Sequence, residues 1–158
     1  MANDSITSDK SITRQLTDKW GKSLIDAGYT VIPNAILLRM QALGLDPTDF
    51  AIVMHIASYW WRKEKLPFPS KRSLAEGIGV DVSTIRRRIA ALERGGLIRR
   101  LPRKDRDGGN KSNIYDLTPL AKAAHPYAKQ MLQERAASAR RREELLSRKG
   151  APKLRSVK

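Results

Sequence analysis

Residues 81–94 read DVSTIRRRIAALER, and the direction in which this segment turns its arginines decides what the chain builds. Three adjacent guanidinium groups repel one another, so a helix that carries them needs a reason to keep them. On a helix of 3.6 residues per turn with Ile85 at zero, Ile89 falls at about 40°, Leu92 at about 340° and Val82 at about 60°. These four make one buried stripe. On the far side, within about 40° of its centre, stand Ser83, Arg87, Ala90 and Arg94, with Thr84 and Arg86 flanking them. Arg88, at about 300°, lies nearer the core and is placed to meet a phosphate or a structural carboxylate rather than a base. Short polar, small and arginine side chains on one face are those that fit a DNA major groove, where arginine pairs with guanine O6 and N7.

Working outward, Asp81 is the expected cap of this helix and Gly95-Gly96 its stop. Before it, Ser70 caps a short helix, KRSLAEGI, read as interrupted at Gly77 and Gly79. A glycine-bearing corner between two short helices is what a tight helix-turn-helix requires. After it, LIRRLP and SNIYDL are strand-like runs around the polar RKDRDGGNK, which predicts a hairpin with a long basic tip. LTPL then restarts helix with Thr118 as cap and Pro119 first; Pro126 is expected to break it, and a last charged helix is expected from Tyr127 to about Arg148.

Upstream, DPTDF predicts a capping box, with Asp46 as cap, Pro47 first and Asp49 third. The FAIVMHIASYWW that follows presents Phe50, Val53, Ile56, Ala57 and Trp60 as a wide apolar stripe, the expected centre of the core. An earlier helix is expected from an Asn34 cap through Ile36, Leu37, Met40 and Leu43 to Gly44, preceded by an extended GYTVIP. The predicted organisation is a disordered arm over 1–17, a DNA-binding domain over 18–120, a helical extension over 121–148 and a basic tail over 149–158. The fold class is mainly α with a small β-hairpin.

Composition narrows the partner. The 31 Lys and Arg against 16 Asp and Glu give +15, which favours polyanions, nucleic acid before an anionic membrane surface. Residues 1–70 carry only +1, whereas 71–111 and 112–158 carry +7 each. No cysteine is present, which removes disulfides and thiolate metal sites and fits a reducing compartment. With no apolar leader and no run long enough to cross a bilayer, a cytoplasmic, nucleoid-associated protein is expected.

The run FPSKRSLAEGIGVDVSTIRRRIAALERGGLIRRLPR, continued by GGNKSNIYDLTPL, resembles the winged helix-turn-helix of bacterial and phage regulators. With the upstream GYTVIPNAILLRMQALGLDPTDFAIVMHIASYWW, it is similar to the helix-turn-helix domains of phage and plasmid replication proteins and mobile-element transcriptional regulators. The likeness spans roughly Tyr29 to Leu120. It implies that residues 70–78 support, that 82–94 read the major groove, and that 99–113 form the wing. The implied DNA-binding set is Ser83, Thr84, Arg86, Arg87 and Arg94 on the reading helix, with Lys71 and Arg72 on the supporting one. In the wing it comprises Arg100, Arg103, Lys104, Arg106 and Lys111, with Ser112, Asn113 and Asn110 adding neutral bonds to phosphate oxygens.

Other chemistry has little footing. His55 sits in the apolar helix as a core or edge residue and His125 precedes a proline, so no zinc set forms. Carboxylates are scattered and no phosphate-cradling glycine loop occurs, so no enzyme, cofactor or metal is expected. Tyr59, Trp60 and Trp61 read as core and edge aromatics in preference to a stacking platform for single strands. Tyr127, Met131, Leu132, Ala136 and Ala139 give the last helix a thin apolar edge, which packs on the domain, pairs in a homodimer or frays. The expected function is sequence-specific binding of double-stranded DNA in transcriptional regulation, as a repressor or activator. The alternative is a replication-initiation protein that marks an origin and recruits replication partners.

Overall fold

The computed structural model describes residues 3–104 and 111–147 of the chain. Its elements, in order, are α1 (Asn3–Trp20), α2 (Lys22–Asp26), α3 (Asn34–Leu38), α4 (Pro47–Ser58), α5 (Lys71–Ile78), α6 (Val82–Arg94), β1 (Arg99–Leu101), β2 (Ile114–Asp116) and α7 (Thr118–Ser147).

Helix α4 is the hub, and its start is written in the sequence. The Asp49 N–H donates to Asp46 Oδ1 at 2.8 Å, and the Asp46 N–H donates to Asp49 Oδ2 at 3.4 Å, closing the capping box over Pro47. Ile52, Val53 and Ile56 are buried, while Phe50, Ala57 and Trp60 pack at the margin. Ile52 joins the core although the expected stripe omitted it, because a helix apolar on nearly every side is surrounded rather than one-faced.

Helices α5 and α6 both pack on α4. Ser70 Oγ accepts from the Ser73 N–H at 3.0 Å, and Gly79, left-handed at φ 79°, ends α5. Gly77 does not interrupt the helix as expected. It lies within α5, where a Cβ would come 2.7 Å from His55 Cε1 of α4, so its role is close approach. Asp81 occupies the cap position of α6 without a side-chain bond. Ile85, Ile89 and Leu92 are buried beneath α6, and Val82 packs at the edge.

Two antiparallel strands follow in the register Arg99 to Asp116, Arg100 to Tyr115 and Leu101 to Ile114. The Tyr115 N–H donates to the Pro67 carbonyl at 2.8 Å, which ties the hairpin base to the segment between α4 and α5. Tyr115, Leu117, Leu120 and Ala124 complete the core.

Four local expectations are corrected. Residues 3–17 of the segment expected as a disordered arm lie in α1, where Ile12, Leu16 and Trp20, spaced by four, share one edge on which Ile12 and Trp20 are exposed. Helix α3 has only five residues, with Pro33 at the cap and no side-chain cap bond from Asn34; turns carry residues 39–44 to Gly44. Leu117, not Thr118, caps α7: its carbonyl accepts from the Ala121 N–H at 3.1 Å, while Asp116 Oδ1 takes the Thr118 N–H at 2.8 Å. Finally, α7 runs through Pro126 unbroken. The proline deprives the Lys122 carbonyl of its donor, but Lys122, His125 and Pro126 are all exposed, so water can take that place.

Candidate nucleic-acid interface

The buried stripe of α6 fixes which side chains face outward. Ser83, Arg86, Arg87 and Arg94 are exposed and Thr84 is half-buried. None of the three outward arginines pairs with a carboxylate among the described residues.

Arg88 turns the other way. Its Nη1 lies 2.5 Å from Asp46 Oδ2 and 3.7 Å from Asp49 Oδ2, so the capping box that starts α4 also holds α6. Burial pushes the Asp49 carboxyl above its usual range, and the neighbouring charge of Asp46 adds to this, against the Asp46 N–H bond and Arg88. The arginine run thus divides into one anchor and two free cations.

On the supporting helix, Lys71 is half-buried and Arg72 exposed, neither in an ion pair with a described residue. The wing is less uniform than its basic sequence implies. Arg100 Nε donates to Glu93 Oε2 at 2.7 Å, its Nη2 reaches the same oxygen, and its backbone N–H reaches Glu93 Oε1 at 3.2 Å. This fork holds the Glu93 carboxyl below its ordinary range and raises the guanidinium above its own. The end of α6 is thereby clamped to β1.

Arg103 stacks over the Phe68 ring at 4.2 Å. Its Nη2 donates to Ser112 Oγ at 3.3 Å, and Ser112 Oγ donates to the Phe68 carbonyl at 3.0 Å. Arg99 Nη2 bonds Asp116 Oδ2 at 2.7 Å. Burial alone would raise the Asp116 carboxyl, but the Thr118 bonds and Arg99 outweigh it and hold it low.

Arg100, Arg103 and Ser112, expected as phosphate contacts, therefore have partners within the protein. Lys104 and Lys111 are exposed, Asn113 is half-buried, and the Lys111 N–H closes the base of the tip onto the Arg103 carbonyl at 3.0 Å. Arg106 and Asn110 lie outside the described residues. Sequence reasoning missed Glu93 and Phe68. The signal for Glu93 was an acid at the end of a basic helix, seven residues before an arginine across a Gly-Gly turn; Phe68, between two prolines, gave none.

Among the described residues no group of three or more histidines and carboxylates is placed to hold a metal. Among those residues no helix is long and apolar enough to cross a membrane.

Comparison with known proteins agrees with this geometry. Residues 43–98 match the family model of a helix-turn-helix domain. No curated protein matches the chain. Among solved structures, the chain is similar to the N-terminal domain of DnaD protein from Geobacillus kaustophilus HTA426, at 22% identity and TM-score 0.51 over 72% of this chain and 93% of that one. It also matches the S. aureus MepR-DNA complex at 15% identity and TM-score 0.41, over 72% and 89% of the chains. A third match is the M. tuberculosis regulator MosR with DNA, at 20% identity and TM-score 0.37, over 90% of each chain. Residues 43–98 thus resemble a helix-turn-helix domain, and with its hairpin and long final helix the fold is winged helix-turn-helix-like.

Proposed function

We propose that this chain binds duplex DNA sequence-specifically and acts as a transcriptional regulator of bacterial, phage or mobile-element origin. The observation that carries this reading is the two-sidedness of α6: Ile85, Ile89 and Leu92 are buried while Ser83, Arg86 and Arg87 stand exposed. In this reading Ser83, Thr84, Arg86 and Arg87 meet base edges in the major groove. Lys71, Arg72, Arg94, Lys104, Lys111 and Arg106 supply phosphate contacts, with Asn113 adding a neutral one. Arg100, Arg103 and Ser112 set the shape of the wing that presents them.

Selection of bound fragments from random duplex DNA tests the reading, because it should recover a defined motif. Arg87→Ala should then cost about 1–3 kcal/mol on that motif and relax one base position. Lys104→Ala should weaken cognate and random duplexes alike. Equal losses on both kinds of DNA for both variants would refute the division of labour.

A second reading keeps the same head but gives it an origin to mark and replication partners to recruit. It is supported by the likeness of residues 29–120 to the helix-turn-helix domains of phage and plasmid replication proteins. A recovered motif that recurs as a tandem array would favour it over regulation at an operator.

A further inference from the structure

We propose that the apolar face built by α1, α2, the extended segment after them and the end of α4 is the docking surface for a second copy of this chain. Two grooves, of about 640 and 320 Å³, lie on this face. They share Tyr29, Thr30 and Val31 and so adjoin one another along that segment. Its walls are unusually bare: Trp20 is 55%, Leu24 59%, Val31 77% and Trp61 74% exposed.

Size and charge select the occupant. With Tyr29, which is 42% exposed, these three aromatic and two aliphatic side chains present on the order of 500 Å² of apolar surface. That stands at the upper end for a lone monomer. A stable homodimer buries about 800 Å² per partner, about 65% of it apolar, which asks for a patch of this size.

Residues 12–61 carry four basic and four acidic side chains, a net charge of zero, whereas residues 62–158 carry +16. Two copies repel one another through the second region and not through the first. A polyanion gains little on this face, because its lysines are balanced by aspartates. A neutral apolar patch on a strongly basic chain is instead self-complementary, as a two-fold interface must be.

The long helix competes less well. Its exposed distal half carries Arg140, Arg141 and Arg142 in a row, with Leu132 a full three turns from Leu145.

Sedimentation equilibrium of the full chain at micromolar concentration and moderate salt tests the proposal. The expected species has twice the 17.8 kDa of one chain. Val31→Glu and Trp61→Glu, both at exposed positions, should each raise the dissociation constant at least tenfold while leaving the helical circular dichroism unchanged. All three tryptophans line this face, so intrinsic emission should shift to the red as the wild type is diluted through its dissociation range.

A wild type that stays monomeric at every concentration overturns the proposal, as does a dimer that neither substitution weakens. The monomeric variants should still bind a single half-site. Their failure to do so, with the fold intact, would count against the proposed DNA-binding function rather than against this interface.

Discussion

At the scale of single residues, the chain uses like-looking cations for different purposes, and the carboxylates beside them tell them apart. Among the described residues Arg86 and Arg87 pair with no carboxylate, Arg88 has two, and Arg100 has Glu93. The Glu93 pair has a pH signature. Its carboxyl titrates below its ordinary range in the folded chain because Arg100 bonds the charged form. A carboxyl depressed by folding stabilises the fold above its unfolded pKa of about 4.3 and ceases to do so as pH falls through the folded value. Asp116 acts with the same sign, and Asp49, raised by burial, with the opposite one. Glu93→Gln should therefore lose about 0.5–1.5 kcal/mol at neutral pH, scaled down because the pair is partly solvated, and should flatten the acid limb of stability against pH. Chemical denaturation at pH 7 and below pH 4 checks this: a variant whose deficit is the same at both would show that the fork adds nothing through its charge.

At the scale of elements, what the sequence made legible was local chemistry acting within one turn. The Asp46-Pro47-Asp49 cap, the Ser70 cap and the Ile85, Ile89 and Leu92 stripe depend on residues no more than four positions from the next, and all appear as expected. What escaped depends on distant partners. Gly77 looked like a breaker because nothing local reveals that His55, 22 positions earlier, packs against it. Pro126 looked like a stop because only the tertiary placement of α7 shows its far side left to solvent. The wing cations looked equivalent because Glu93 and Phe68 reach them across the fold. The Gly77 contact makes a quantitative case. Alanine in a helix interior gains about 1 kcal/mol over glycine, but here its Cβ would meet the His55 ring at 2.7 Å. In thermal unfolding, Gly77→Ala should be more favourable by at least about 1 kcal/mol in the His55→Ala background than in the wild type, which is the coupling expected of touching residues. Additive effects would mean that the two helices adjust without strain.

At the scale of the whole molecule, the proposed function turns on how the +15 is distributed. The resemblance to winged helix-turn-helix proteins implies a wing rich in phosphate contacts, and neutralising six to eight phosphates would give a log K against log salt slope of about −5 to −7. The fold withdraws Arg88, Arg99, Arg100 and Arg103 into internal partnerships, so the proposed contacts rest chiefly on Arg86, Arg87 and Arg94 of α6, Lys71 and Arg72 of α5, and Lys104. Six contacts are then a fairer number than eight, and the slope should lie near −5. Replacing a solvent-facing cation such as Lys104 or Arg72 with alanine should make that slope shallower by about one, since each releases one counterion on binding. Replacing Arg100 should weaken binding through the misplaced wing while leaving the slope almost unchanged, because its charge is already neutralised by Glu93. Fluorescence anisotropy titrations across a series of salt concentrations read both quantities at once. An Arg100→Ala slope reduced as much as that of Lys104→Ala would place Arg100 on the phosphate backbone and require the fork with Glu93 to open when the chain meets DNA.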